Sequence, residues 1–187
     1  MTNIGPGKTG EIVADSFPVL YILMRTDLAS MNAGKGHAQA SHASNAFVFG
    51  ELKRWATKPM KTGWNKFLMF VGLKAFVDDL FLKWVHATSQ GFGTVLVLGV
   101  NEVQMRTAVD IAHMLEFQAE VIHDPTYPIL VPPELGMTLA EMDNHSVFEV
   151  GEKANYVTIP LDTCGYIFGD KNDPILGAIV GCFPLHP

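Results

Sequence analysis

Apolar positions change their spacing from segment to segment along this chain, and the changes predict its elements. "FPVLYILMR" (17–25) is a continuous apolar run with β-branched and aromatic members. That pattern reads as a short strand buried on both faces. The turn "TDLASMNAG" follows. The Ala-rich "HAQASHASNAF" then predicts a helix that opens at Lys35 or Gly36 and runs to about Phe49. "GELKRWATKPMKTGW" (50–64) reads as a connector broken by proline. Over 65–87, Phe67, Phe70, Val71, Val77, Leu80, Phe81 and Trp84 recur near a 3.6-residue period, which predicts an amphipathic helix. "GTVLVLGV" (93–100) predicts a second strand, and residues 101–115 a helix with Asn101 as N-cap. "AEVIHD" (119–124) predicts a third strand.

Residues 125–156 resist assignment, because "PTYPILVPPELGMT" holds four prolines and the remainder has weak periodicity with room for one short helix. "YVTIPLDTCGYIFG" (156–169) reads as one strand or two. A short helix is expected over 173–182, capped by Asp173 with Pro174 at its first position. The order β-α-α-β-α-β-insert-β-α predicts a three-layer α/β sandwich, with the early strands parallel and helices on both faces. Ligands gather at the carboxyl ends of strands in such sheets. The segment Arg25–Asp27, Asn101 and Asp124 are expected at those ends.

Composition narrows the class. The 187 residues, 48% of them hydrophobic, suffice for one domain with a sizeable core. Residues 1–16 are Gly-, Pro- and polar-rich and are expected to form a loose arm with no apolar leader. The two cysteines, Cys164 and Cys182, make no disulfide framework and fit a reducing, cytoplasmic setting. The most apolar run, 67–85, carries Lys74, Asp78, Asp79 and Lys83. Each costs about 2.5–3.5 kcal/mol at a bilayer centre, so no membrane span is expected. The net charge of −6 argues against a nucleic-acid partner, but its distribution is uneven. Residues 51–83 hold seven basic and three acidic groups, and residues 84–187 three basic and thirteen acidic. The basic segment could hold a few phosphates or simply be a solvated helix face.

Three familiar chemistries are not supported. "GPGKTG" (5–10) lacks the leading glycine and the preceding strand of a phosphate-binding loop, and at 34–36 Gly36 stands where that loop needs Ser or Thr. The seven histidines include no His-x-x-x-His pair, so no metal site and no cofactor are expected. A Gly-x-Ser-x-Gly nucleophile elbow is absent.

The stretch "GKGHAQASHASNAF" (34–47) is more informative. At about 100° per residue, Gln39 lies about 40° around the helix from Lys35 and His42 about 20° the other way. All three share one face. A lysine in a first helical turn opposes the helix dipole, yet it is well placed to meet an anion that the free N–H groups also attract. Gly34 and Gly36 would let a ligand approach the backbone. The same residues also fit a solvated Lys35 and a His42 packed on the sheet.

"RTDLASMNAGKGHAQASHA" (25–43) resembles the signature of the archaeal- and eukaryotic-type (type II) peptidyl-tRNA hydrolases: Arg-x-Asp-Leu, a spacer, Gly-Lys, two residues, Ala-Gln, two residues, His-Ala. Arg25, Asp27, Leu28, Gly34, Lys35, Ala38, Gln39, His42 and Ala43 match, with a spacer one residue longer. Trp84, the segment ending in Asp124, and "CGYIFGDKNDPILGAIVGCFPL" are similar to the family's later elements. The resemblance covers about three fifths of the chain. It departs after Asp124, where the family's Ala-Gly-Arg-Thr is replaced by Pro125-Thr126-Tyr127-Pro128. Two insertions, near 50–75 and 130–157, have no counterpart.

The resemblance implies a mixed four-stranded sheet with helices on both faces, in a single domain spanning 1–187, and a homodimer. It further implies tRNA as partner and metal-independent hydrolysis of the ester that joins a peptide to the terminal ribose of tRNA. Lys35, His42 and Asp124 would be catalytic: His42 as general base, Asp124 orienting His42 or the water, Lys35 facing oxyanion or phosphate. Arg25, Asp27, Gly34, Gln39 and Thr126 would hold substrate, with Arg25 equally suited to pair with Asp27. The altered segment and the acidic C-terminal half keep two alternatives open. One is a scaffold that binds tRNA or a protein without catalysis. The other is a hydrolase of a small ester or amide.

Overall fold

The computed structural model describes residues 16–57, 79–131, 147–149 and 155–187. Along the chain these form β1 (Pro18–Arg25), α1 (Ala33–Thr57), α2 (Asp79–Val85), β2 (Thr94–Val100), α3 (Glu102–Met114), β3 (Gln118–Val131), β4 (Val147–Glu149), β5 (Asn155–Asp170) and α4 (Pro174–Val180). The main sheet runs β2-β1-β5-β3, and β4 adds to β5 off that path. β1 and β2 are parallel, while β5 is antiparallel to β1, β3 and β4. The sheet is therefore mixed, and its early strands β1 and β2 are parallel, as the alternation of elements predicts.

The central strand explains the layering. Successive side chains of β1 point to opposite faces. Val19, Tyr21 and Leu23 join a core with Met105, Ala108, Val109 and Ala112 of α3 and Leu176 and Val180 of α4. Leu20, Ile22 and Met24 join the other core with Ala43 and Phe47 of α1 and Phe81 and Trp84 of α2. Phe47 anchors this second layer, its ring centroid 4.6–5.6 Å from those of Phe81, Trp84, Tyr166 and Phe168. α3 carries the expected Asn101 cap, closed into a capping box by Gln104, and α4 the expected Asp173 cap with Pro174 behind it.

Several boundaries differ from the sequence expectation. α1 opens at Ala33, not at Lys35 or Gly36, because Asn32 caps it: its Oδ1 accepts from the Lys35 N–H at 3.0 Å. α1 also runs on to Thr57 where a connector was expected. Gly50 costs a helix only about 1 kcal/mol relative to alanine, and the buried Glu51 meets Arg54 one turn on. Of the helix expected over 65–87, only α2 lies within the described residues.

β3 differs most. It continues through "PTYPILV" to Val131, and β5 is one strand of 16 residues. Proline is tolerated there because β3 is an edge strand and its register shifts between Asp124 and Tyr127. Past the carboxyl end of β1, β3 and β5 keep pairing from Tyr127↔Ile159 to Val131↔Asn155, and β4 pairs the start of β5. The described ends of the second insertion are thus a β arm that projects beyond the sheet. On the opposite edge, the Gly99 N–H donates to Pro184 O and the His186 N–H to Val97 O, so the C-terminal tail lies along β2.

Candidate active site

β1 ends at Arg25, and the loop 26–32 leads into α1. Arg25 is buried, and its guanidinium is turned inward. It pairs with Asp27 through two bonds of 2.9 and 3.1 Å, with Glu102 at 3.0 Å and with the Asp162 carbonyl at 3.0 Å. The hydrogen bond from Arg25 holds the Asp27 carboxyl below its usual range. The Glu102 N–H at the start of α3 also donates to Asp27. Arg25 and Asp27 thus lock the β1 and β2 ends together. Arg25 is not presented to a ligand, so of its two sequence readings the geometry selects the pairing with Asp27.

Gln39, one turn into α1 beyond Lys35, is 4% exposed. Its Nε2 donates to Asp124 Oδ2 at 2.7 Å, and its Oε1 accepts from the Thr163 hydroxyl at 2.5 Å. Thr163 is fully buried in β5. Asp124 sits where β3 overruns the end of β1, not at a strand end. In the irregular step that follows, Asp124 Oδ1 accepts from the Thr126 N–H at 2.9 Å and the Thr126 hydroxyl at 3.3 Å. Thr126 is exposed and serves here to hold Asp124. Cys164, beside Thr163, contacts the Gln39 carbonyl through Sγ at 3.4 Å, and burial pushes its thiol up to about 12.

Lys35 reaches the same β3 segment further along. Its Nζ donates to the Pro128 carbonyl and stands 4.8 Å from the centre of the Tyr127 ring. Desolvation lowers its pKa from the ordinary lysine value. Tyr127 is fully buried, and its hydroxyl meets Ser30 Oγ at 3.3 Å and Met31 Sδ at 3.8 Å. The side chain therefore plugs the space beneath loop 26–32. Lys35 also lines a cleft of about 460 Å³ with Asp27, Leu28, Ala29, Ser30, Asn32 and Ile129.

His42 stands apart. It is exposed, and among the described residues it forms no hydrogen bond or ion pair. The hydrogen bonds that Asp124 accepts come from Gln39 and Thr126 instead. Asp124 therefore does not orient it, contrary to the sequence expectation. A side chain at Gly34 would come no closer than 3.4 Å to Asn32 Oδ1, so crowding alone does not demand glycine there.

The structure thus brings together Gln39, Asp124 and Thr126, sets Lys35 against Tyr127 and Pro128 of the same strand, and leaves Arg25 inward and His42 outside. Sequence reasoning missed Asn32, Tyr127 and Thr163. Tyr127 lay within the departing segment, which was read for what it lacked. Thr163 gave no local signal, being one polar residue inside a strand. Among the described residues no group of three or more His, Cys, Asp or Glu side chains could hold a metal ion, and no helix is long and apolar enough to cross a membrane.

No protein-family model and no curated relative matches the chain. Among solved structures it is similar to Atu0240, a protein of unknown function from Agrobacterium tumefaciens, at 10% identity and a TM-score of 0.37. That match covers 91% of this chain and 98% of the other.

Proposed function

We propose that this protein hydrolyses the ester of peptidyl-tRNA, releasing peptide and free tRNA. The observation that carries the reading is the meeting of Lys35 and Gln39, from the Gly-Lys and Ala-Gln pairs of α1, with the 124–128 segment of β3. In this mechanism a water beside Asp124 gives it a proton and adds to the ester carbonyl carbon. The tetrahedral oxyanion faces the Lys35 ammonium, which line-of-charge attraction in a partly desolvated cleft strengthens. Collapse breaks the bond to the ribose oxygen, which takes the proton back from Asp124. His42 has no part in these steps. The cleft beside Lys35 would take the terminal nucleoside and the first residue of the acyl chain.

A second reading has its own support. Lys35 already rests on Pro128 and Tyr127, and both Asp124 oxygens already accept hydrogen bonds. That arrangement suits a scaffold which binds tRNA without turning it over. Release of labelled peptide from a model peptidyl-tRNA separates the two. Hydrolysis by the wild type that falls at least a hundredfold in Lys35→Met and Asp124→Asn supports the enzyme. Retained tRNA binding with no release supports the scaffold and ends the enzymatic reading.

A further inference from the structure

Three buried polar side chains form one chain of hydrogen bonds with a single direction. Thr163 donates to Gln39, and Gln39 donates to Asp124. They are 0, 4 and 8% exposed, so solvent competes weakly for any of these bonds. The direction is set by chemistry. The amide of Gln39 has an accepting and a donating end, and flipping it by half a turn would aim Oε1 at the Asp124 carboxylate. In the resting state the carboxylate and Thr163 both oppose that flip.

During turnover the two constraints separate. Once Asp124 has taken a proton from water it is neutral, and it could donate from Oδ2 to a flipped amide. The proton would then lie on the inner oxygen, away from the substrate. Thr163 alone resists this, because its hydroxyl hydrogen has one other acceptor among the described residues, Cys164 Sγ at a distant 4.0 Å. With the amide held, Oδ2 stays an acceptor and the proton stays on Oδ1. That oxygen faces the exposed Thr126, whose longer 3.3 Å hydroxyl contact is the one a water would replace.

We infer that Thr163 is a positioning residue, which acts through Gln39 to make Oδ1 the proton-carrying oxygen of Asp124. The inference rests on the hydrolytic reading for its purpose and for the first of its two tests. In a peptidyl-tRNA release assay, Thr163→Val should lower kcat at least tenfold with KM within twofold, and Thr163→Ser should restore kcat to within threefold of wild type. Equal losses in the two variants would overturn it. A second measurement needs no turnover. In Asp124→Asn an amide that can donate as well as accept faces Gln39, so Thr163 is the remaining group that favours the wild-type orientation. Solvent exchange of the Gln39 side-chain amide protons, followed by ¹⁵N NMR, should be at least tenfold faster in D124N/T163V than in D124N, while the backbone amides of α1 keep their protection. Unchanged Gln39 exchange overturns the inference, even if the protein proves to be a hydrolase. A wild type without hydrolysis removes the enzymatic reading, and the NMR result then judges the amide's constraint by itself.

Discussion

Gln39 of α1 donates to Asp124 of β3 at 2.7 Å across 85 residues of chain. This bond ties the helix to an edge strand at the point where that strand leaves the sheet. It lies in a buried setting and continues to Thr163, so it should matter to stability whatever the site does. Replacing Gln39 with leucine keeps the volume but leaves Asp124 Oδ2 and the Thr163 hydroxyl without their partner. Each unsatisfied buried group costs about 1–3 kcal/mol. Gln39→Leu should therefore lose about 2–4 kcal/mol in urea unfolding, with an unchanged slope. A loss under 0.5 kcal/mol would show that the two groups find other partners.

Lys35 offers a test through pH. Desolvation lowers its pKa in the folded protein, whereas the unfolded chain titrates near the ordinary lysine value of 10.5. Between the two values the unfolded state binds more protons, so stability gains with rising pH. Below the folded value the penalty is complete and constant. Tyr21 and Tyr166, raised chiefly by burial, work the other way at alkaline pH, and they are common to wild type and variant. The stability of wild type minus that of Lys35→Met should therefore climb as urea unfolding is repeated from pH 8 to 10.5. A flat difference would mean that the Pro128 carbonyl and the Tyr127 ring compensate fully for desolvation.

The contrast between Lys35 and His42 shows what periodicity can and cannot locate. A helical wheel gives angle, and it predicts Lys35, Gln39 and His42 on one side of α1. It does not give height against a neighbouring strand or depth toward the sheet: Gln39 is buried and bonds Asp124, whereas His42 is exposed. The elements with local determinants were legible: the continuous apolar run of β1, the Asn101 cap of α3, the Asp173-Pro174 start of α4. β3 beyond Asp124 was not, since its prolines argue against a strand until its place at the sheet edge is known. The Thr163–Gln39–Asp124 chain was least legible of all. It needs three segments, each with one unremarkable polar residue, and only the tertiary fold brings them within reach.

The two cysteines should behave as opposites. Cys164 is fully buried with its thiol pushed up to about 12, whereas Cys182 is exposed. The thiolate is the reactive form, so Cys164 is protected both by access and by protonation. A disulfide reagent at pH 8 should label one thiol in the native protein, at Cys182, and both in denaturant. Rapid native labelling of Cys164, located by peptide mass, would show that β5 opens from α1 far more readily than its packing implies.

The same substitution at two glycines should have opposite signs. A Cβ on Gly93 would stand 2.6 Å from Trp84 Cδ1 and 2.6 Å from the Trp84 carbonyl oxygen. Trp84 cannot yield freely, because its Nε1 donates to Thr94 O at 2.9 Å and its ring meets Phe47 edge to face and stacks on Phe81. Such overpacking costs about 1–3 kcal/mol. Gly177 lies inside α4, and a Cβ there would meet nothing within 4 Å. Alanine would then only reduce the backbone entropy lost on folding, a gain of about 0.5–1 kcal/mol. Thermal melting of Gly93→Ala and Gly177→Ala should therefore move the midpoint down and up respectively. A Gly93→Ala protein as stable as wild type would mean that the turn before β2 can shift without disturbing the aromatic layer, and that α2 is held less firmly than the Trp84 contacts imply.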